Sequence, residues 1–178
     1  MRVEVKSRST FRPEDQAALE ALSEAVYPPE VIATSPGKDV TWERPEHSIF
    51  VRDDTGRLVS HVGVLTRDAT LDGTAVRIGG IGGVATHPDY RGRGYAAAGM
   101  QGAMDFFAED PGIAFALLVC QPDVAPYYAR LGWQPFDGVL MVEQPNGRVR
   151  FMLNMPMVFP IHAEVPKHGE IDLCGLPW

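Results

Sequence analysis

The 178 residues suffice for one domain with its own apolar core, since a domain usually spans ~100–200 residues. Hydrophobic residues make up 45% of the chain and charged residues 22%, which excludes disordered and collagen-like classes. The net charge of −7 argues against a nucleic-acid partner and favours a cationic one.

Neither a membrane span nor a disulfide scaffold is visible in the sequence. No apolar run approaches the ~18 residues that cross a bilayer, and the first residues lack the apolar region of a signal peptide. Cys120 and Cys174 are too few for a disulfide scaffold and lack metal-site spacing. We therefore expect a cytoplasmic protein with no membrane partner and no metal.

The first half of the chain predicts a strand, a helix and a three-strand antiparallel meander. The helix begins at Pro13, carries alanine and leucine at helical spacing, and ends before Pro28. Residues 30–46 mix proline, glycine and charge and predict a loop with a function or with mobility. Strands are predicted over residues 3–7, 47–52, 58–67 and 75–86.

The second half predicts two further helices and three strands. The helices are expected at 95–108 and 124–131. Residues 113–120 form a continuous apolar run, typical of a strand covered on both faces. Residues 133–142 and 148–155 predict a hairpin around a Pro-Asn-Gly turn. The order predicts an α/β fold with a mixed, mostly antiparallel twisted sheet flanked by helices.

The last part of the chain lacks a clear pattern, and one strand is predicted near 162–165. We therefore expect a domain over 1–155 and a C-terminal extension over 156–178. The extension carries too many apolar residues to remain in water, so it should pack on the same domain. The alternative is a homodimer, in which these residues cover a neighbouring subunit.

A glycine-rich segment carries the strongest chemical signal. Four glycines interrupt the strand over 75–86, and a second glycine-rich stretch runs directly into the next helix. A helix N-terminus exposes free N–H groups with partial positive charge, and glycine lets the backbone approach a phosphate closely. The segment therefore predicts a pyrophosphate cradle, formed by Arg91, Gly92, Arg93, Gly94, Tyr95 and Ala96.

Two common phosphate-binding motifs do not fit this cradle. The dinucleotide motif needs a third glycine where Ala97 stands, and it follows a parallel rather than an antiparallel strand. The P-loop needs Gly-Lys-Ser/Thr, which is absent from the chain.

The residues instead resemble the GNAT family of N-acetyltransferases. Residues 91–96 match the family motif R/Q-x-x-G-x-G/A, and the preceding segment 84–90 is typical of the same family. Residues 126–133 (PYYARLGW) resemble its FYxxxGF segment. The resemblance covers roughly residues 1–155 and implies the family's sheet and its activity.

The resemblance also implies a donor substrate and roles for individual residues. Acetyl-CoA or another acyl-CoA would bind with its pyrophosphate on the amides of residues 91–96. Val84, Ala85 and Thr86 would pair with the pantetheine arm as an added strand. The N–H of Val84 would polarise the thioester carbonyl, and Tyr128 would protonate the leaving thiolate.

A second, finer resemblance is to the aminoglycoside 2′-N-acetyltransferases. It rests on the segment 132–138 and on an extension that ends at a tryptophan, whose carboxylate in those enzymes helps to bind a cationic substrate. It implies that the Trp178 carboxylate binds the acceptor. Because the extension should pack near the acceptor site, we also expect Asp172 to attract the acceptor's ammonium group. The acidic residue of the family's central strand is replaced here by Gly82, which we expect at the substrate-binding site.

These features predict acetyl transfer to a primary amine of a small cationic acceptor. Two alternatives are a non-catalytic acyl-CoA-binding sensor and an N-acetyltransferase of proteins or peptides. The amine must lose a proton to water or to a protein base. Candidate bases are His87, His61, Asp39, Glu43, His47 and the Trp178 carboxylate.

Overall fold

Ten strands form one sheet, and four α-helices flank it, in a computed structural model that describes residues 1–178. The strands are β1 Arg2–Ser7, β2 His47–Arg52, β3 Leu58–Leu71, β4 Thr74–Thr86, β5 Ile113–Cys120, β6 Gln134–Pro135, β7 Val139–Gln144, β8 Gly147–Arg150, β9 Met155–Pro160 and β10 Glu170–Asp172. The helices are α1 Pro13–Val26, α2 Pro29–Thr34, α3 Tyr95–Ala108 and α4 Ala125–Arg130. None of the four helices is long and apolar enough to cross a membrane.

The strand order is β6-β9-β5-β4-β3-β10-β7-β8, and β2 also pairs with β3 and with β1. Seven of the nine strand pairings are antiparallel, and two, β4 with β5 and β10 with β7, are parallel. The predicted mixed, mostly antiparallel sheet is therefore confirmed. The long strand β3 binds β2 along its first half and β10 at its far end.

The meander and the longest helix follow the sequence patterns closely. β2, α3 and β5 have the predicted bounds, and β4 begins one residue earlier than predicted. β3 continues to Leu71 because the hairpin with β4 keeps its pairing up to Thr74. The short helix α2 lies at the start of the predicted loop over 30–46.

The predicted strand over 133–142 is wrong, because this segment forms two strands that pair with different neighbours. β6 pairs with β9, and β7 pairs with β8 and β10. A bend at Gly138 separates them, and a β-carbon there would lie 2.3 Å from the carbonyl oxygen of Gly169. The predicted strand over 148–155 ends at Arg150, because residues 151–154 leave the sheet.

The extension over 156–178 is integrated into the sheet. β9 pairs antiparallel with β5 over six residues, and β10 inserts between β3 and β7. The strand predicted near 162–165 is wrong, since the chain bends there between β9 and β10. The extension thus packs on its own domain, and Trp178 is buried at 6% exposure.

Two apolar clusters cover the two faces of β4. On one face α3 contributes Met100 and Phe107, and on the other the extension contributes Ile171 and Trp178. β4 carries glycines, and so no side chains, where these large rings lie. A β-carbon on Gly79 would lie 2.8 Å from the Phe107 ring, and one on Gly80 would lie 2.4 Å from the Trp178 indole. The glycines of β4 therefore admit aromatic side chains to both faces of the sheet.

A β-bulge interrupts the pairing of β3 with β4 and is held by a buried histidine. The pairing shifts register between His61 and Gly63, and Gly83 adopts a left-handed φ of 59°. His61 is 5% exposed, and its Nδ1–H donates to the carbonyl oxygen of Gly83 over 2.9 Å. Its Nε2 accepts from the Ser48 hydroxyl over 2.9 Å. Both nitrogens of the neutral ring are therefore occupied in fixing the bulge.

We expect protonation of His61 to destabilise the fold at acid pH. Burial lowers the pKa of His61 from 6.5 to about 4. Below pH 6.5 the histidine is therefore protonated in the unfolded state while it stays neutral in the folded state. The free energy of unfolding consequently falls as the pH drops. The full shift corresponds to about 3 kcal/mol, reached near pH 4.

Urea unfolding of the wild type and of His61→Gln between pH 7.5 and 4 measures this effect. The wild type should lose stability more steeply than His61→Gln over this range. His168→Gln is the matched control, because His168 is exposed and should leave the pH dependence unchanged. Equal pH dependence in wild type and His61→Gln would contradict the assignment.

Candidate functional site

The central strands separate at the edge of a large cavity. β4 pairs with β5 only as far as Ile81 and Leu118, and beyond these residues the two strands no longer bind each other. An open cavity of about 980 Å³ begins there, lined by the ends of both strands and by α4. Its other walls are the end of α1, the segment around 31–45, and Trp178. The divergence leaves backbone groups of β4 and β5 accessible to a ligand.

The predicted cradle lies at the start of α3. Gly92 and Gly94 adopt left-handed φ angles of 73° and 82°, and Gly94 caps the helix. The first backbone bond of this helix runs from the Ala98 amide to the Gly94 carbonyl, so the amides of residues 92–97 donate to no other backbone group. These consecutive free donors, at the positive end of a helix dipole, suit an anionic group.

Three arginines lie around the segment that leads into these free amides. Arg91 is anchored by its Nε, which donates to the Thr86 carbonyl over 3.3 Å, and Arg93 stacks on the Tyr90 ring. Arg57, from the hairpin between β2 and β3, lies over the same ring at 5.6 Å. The Tyr90 hydroxyl in turn donates to Asp53 over 3.0 Å. Sequence analysis missed Arg57, because a hairpin arginine carries no motif and only tertiary packing brings it here.

Two neighbouring tyrosines on α4 have opposite environments. The Tyr128 side chain lines the cavity, and its hydroxyl has no partner within the protein. The hydroxyl of Tyr127 is fully buried without a hydrogen-bond partner and lies outside the cavity. Burial raises the pKa of Tyr128 well above its usual value, with further contributions from Cys120 and Tyr127. Tyr128 therefore remains protonated at neutral pH and can donate a proton into the cavity.

The cavity also contains a thiol, which is poorly suited to attack a substrate. Burial raises the pKa of Cys120 to about 11, and the nearby Asp123 contributes in the same direction. Its sulfur lies 3.7 Å from the sulfur of Met157. A thiol is nucleophilic as its thiolate, and this one stays protonated at neutral pH.

The bulge on β4 faces the cavity together with two aromatic residues. Tyr27, at the end of α1, donates from its hydroxyl to the Val84 carbonyl over 3.1 Å. Trp178 lies over Gly82, and a β-carbon there would come 2.8 Å from the carboxylate carbon of Trp178. Any larger residue at Gly82 would therefore displace the extension. From the sequence, Tyr27 is only the last residue of a predicted helix, so its hydrogen bond to β4 could not be predicted.

The structure brings together four of the residues predicted for the reaction: Gly82, Val84, Tyr128 and Trp178 all line the cavity. It does not bring Asp172 there. The carboxylate of Asp172 accepts from the Arg148 Nε over 2.5 Å and does not line the cavity. Ala85 is buried against α1, and Thr86 bonds to Ser60. Their carbonyls are also bound, by Ser60 and by Arg91 respectively.

Among the candidate bases, only Glu43 and Trp178 line the cavity. Both ring nitrogens of His61 are occupied, and His87 bonds to Arg57 over 3.0 Å. The ring of His47 packs on Phe106 beside a separate cavity of about 280 Å³. Asp39 pairs with Lys38 over 3.2 Å outside the lining.

Hydrogen bonds fasten the segment that forms the outer wall. The Trp42 indole donates to the Gly37 carbonyl over 3.1 Å, and Gln144 on β7 binds both the N–H and the carbonyl of Thr41. Glu43 pairs with Arg67 over 3.3 Å. The same arginine donates to carbonyls of the extension and lies over the Trp178 ring. The wall and the extension are therefore one connected unit.

Comparisons with known proteins agree with this geometry. The profile of the Acetyltransferase (GNAT) domain matches residues 10–136. An aminoglycoside 2′-N-acetyltransferase of Mycolicibacterium fortuitum is 30% identical over 119 residues. That match spans 66% of this chain and 59% of the relative, so less than two thirds of the relative is represented.

Solved structures share the fold at low sequence identity. A GNAT family N-acetyltransferase of Escherichia coli in complex with CoA superposes with a TM-score of 0.61 at 17% identity, over 98% of this chain and 91% of that one. A GNAT family acetyltransferase of Brucella melitensis in complex with acetyl-CoA gives 0.56 at 17% identity, over 96% and 94%. The family profile covers most of the chain, and this protein belongs to the GNAT family of acetyltransferases.

Proposed function

We propose that this protein transfers an acetyl group from acetyl-CoA directly to a primary amine of a small acceptor, within a ternary complex. The observation that carries the proposal is the Tyr128 hydroxyl. It is protonated and free of partners, and it lines a cavity at the point where β4 and β5 separate. A cavity with a proton donor favours transfer over passive binding of an acyl-CoA.

The donor substrate would bind along the strand that leads to the cradle. Its pyrophosphate would accept from the free amides of residues 92–97, with Arg91 and Arg93 beside it. The pantetheine arm would lie along the β4 segment 84–86, on the side that β5 leaves unpaired. CoA and acetyl-CoA accompany two of the similar structures, which supports this donor.

The reaction requires one bond to form and one to break. The neutral amine nitrogen attacks the thioester carbonyl carbon, whose oxygen accepts from the Val84 N–H while it carries negative charge. The carbon–sulfur bond then breaks, and the thiolate takes the proton of Tyr128. The amine's surplus proton leaves through water, and Glu43 is the carboxylate side chain in the wall that can receive it.

The acceptor is proposed to be a small molecule because the outer wall is closed by connected elements. Trp42 and Glu43 are tied to Gly37, Arg67 and the extension by the bonds described above. An extended peptide would need a groove along the sheet that is free of such a wall. Cys120 stays protonated, which supports direct transfer over an acyl-enzyme intermediate.

Replacing Tyr128 by phenylalanine should slow transfer while leaving binding intact. Tyr128→Phe keeps the ring that packs on Trp133 but removes the proton donor. We expect kcat to fall about 10- to 1,000-fold, with little change in the Kd of acetyl-CoA. Steady-state kinetics and calorimetry measure the two quantities.

Tyr127→Phe is the matched control for this prediction. It removes a buried hydroxyl without a hydrogen-bond partner and outside the cavity, so kcat should be unchanged. An unchanged kcat in Tyr128→Phe would assign Tyr128 to packing alone.

Replacing Gly94 by valine should remove acyl-CoA binding. A side chain at Gly94 would occupy the approach to the free amides and strain a left-handed residue. Gly56→Val is the matched control, because Gly56 has a φ of 88° in a hairpin turn and also has open space around it. Calorimetry with CoA should show lost binding only for Gly94→Val. Equal affinities in both variants would place the pyrophosphate elsewhere.

A further inference from the structure

The cavity gathers exposed apolar side chains. Eight large hydrophobic side chains of the protein are exposed, and four of them line this one cavity: Tyr27, Val31, Ile32 and Val124. Val31 and Ile32 are 45% and 53% exposed on α2. Exposed apolar side chains that cluster in a concave surface mark a binding site for an apolar group.

Further apolar groups continue this surface along the cavity wall. Val40, Trp42, Leu153 and Trp178 line it as partly or fully buried residues. Trp42 is held edge-on against Phe151 at 5.9 Å, in addition to its indole bond. The apolar wall is therefore in place before the acceptor arrives, which lowers the entropic cost of binding.

Charge is scarce on the same walls. The charged side chains in the lining are Glu43 and Lys38, one of each sign. Glu43 is already paired with Arg67, so the one carboxylate of the lining without a cationic partner is that of Trp178. The acidic excess of the chain therefore lies elsewhere: Asp172 and Glu170 bind Arg148, for example, and Asp15 binds Lys6.

From these observations we infer that the acceptor is a monoamine with an apolar body, such as an alkylamine or arylalkylamine, and not a polycation. The Trp178 carboxylate can pair one ammonium group, whereas a molecule with several would bring further charges that the lining cannot pair, at a large desolvation cost. A single amine must become neutral to attack, and its apolar body fits the α2 side of the cavity. This inference rests on the proposed acetyl transfer.

A substrate panel tests the inference directly. CoA-thiol release and product mass are measured with propylamine to hexylamine and 2-phenylethylamine, against spermidine and kanamycin. We expect kcat/KM to rise about fourfold per added methylene until the cavity is filled. The best monoamine should exceed either polycation by at least about tenfold. Polycations used equally well or better, with no chain-length dependence, would overturn the inference.

Binding measurements separate this inference from the proposed function. If no amine is acetylated, the proposed transfer fails. Calorimetry with CoA present then tests whether the cavity binds an apolar monoamine. Binding of hexylamine in preference to spermidine would support apolar selection. Absence of hexylamine binding would overturn it.

Two aspartate substitutions link the selectivity to the α2 side of the cavity. Ile32→Asp introduces a free carboxylate into the lining at a 53% exposed position, so folding should persist. We expect its KM for hexylamine to rise about tenfold and its KM for spermidine to fall, with acetyl-CoA affinity unchanged. Val5→Asp, at a 49% exposed position outside the cavity, should match the wild type. Identical amine kinetics in Ile32→Asp would overturn the inference.

Discussion

The end of the pairing between β4 and β5 is the constraint on which the site depends. Up to Ile81 and Leu118 the strands satisfy each other's backbone groups; beyond them, β4 bulges at Gly83 and β5 leads into α4. Strand edges without partners bind other extended chains readily. The fold preserves this opening by holding the bulge with His61, whose buried ring must stay neutral and therefore limits stability at acid pH.

The lack of side chains at the glycines of β4 determines which residues can pack around this opening. Its glycines bring Phe107 against one face and Trp178 against the other. Through Arg67, the Trp178 ring is connected to Glu43 on the outer wall. The extension is thus as much a part of the cavity as the central strands. A β4 without glycines would exclude Trp178, and a cavity wall of different chemistry would result.

Local patterns predicted the elements that depend on neighbours in sequence. The antiparallel meander, α3 and the glycine-rich start of α3 follow from alternation, helical spacing and glycine placement. The role of β10 could not be predicted, because three residues carry no periodicity and bind strands far away in sequence. For the same reason, some residues of the candidate site could be predicted from the sequence and others could not. Tyr128 stands in a motif, whereas Tyr27 and Arg57 reach the site only through packing.

The net charge of −7 favours a cationic partner, but the acidic side chains that produce it lie mostly outside the cavity. Most carboxylates are exposed or paired, and the one free carboxylate in the lining of the cavity is that of Trp178. This scarcity also bears on the chemistry, since Gly82 stands where the resemblance leads us to expect an acidic residue on the central strand. An ammonium group in an apolar cavity is poorly solvated, and desolvation lowers its pKa. The apolar wall that favours an acceptor with an apolar body therefore also favours the neutral form of its amine. Deprotonation of the acceptor consequently depends less on a strong base within the protein.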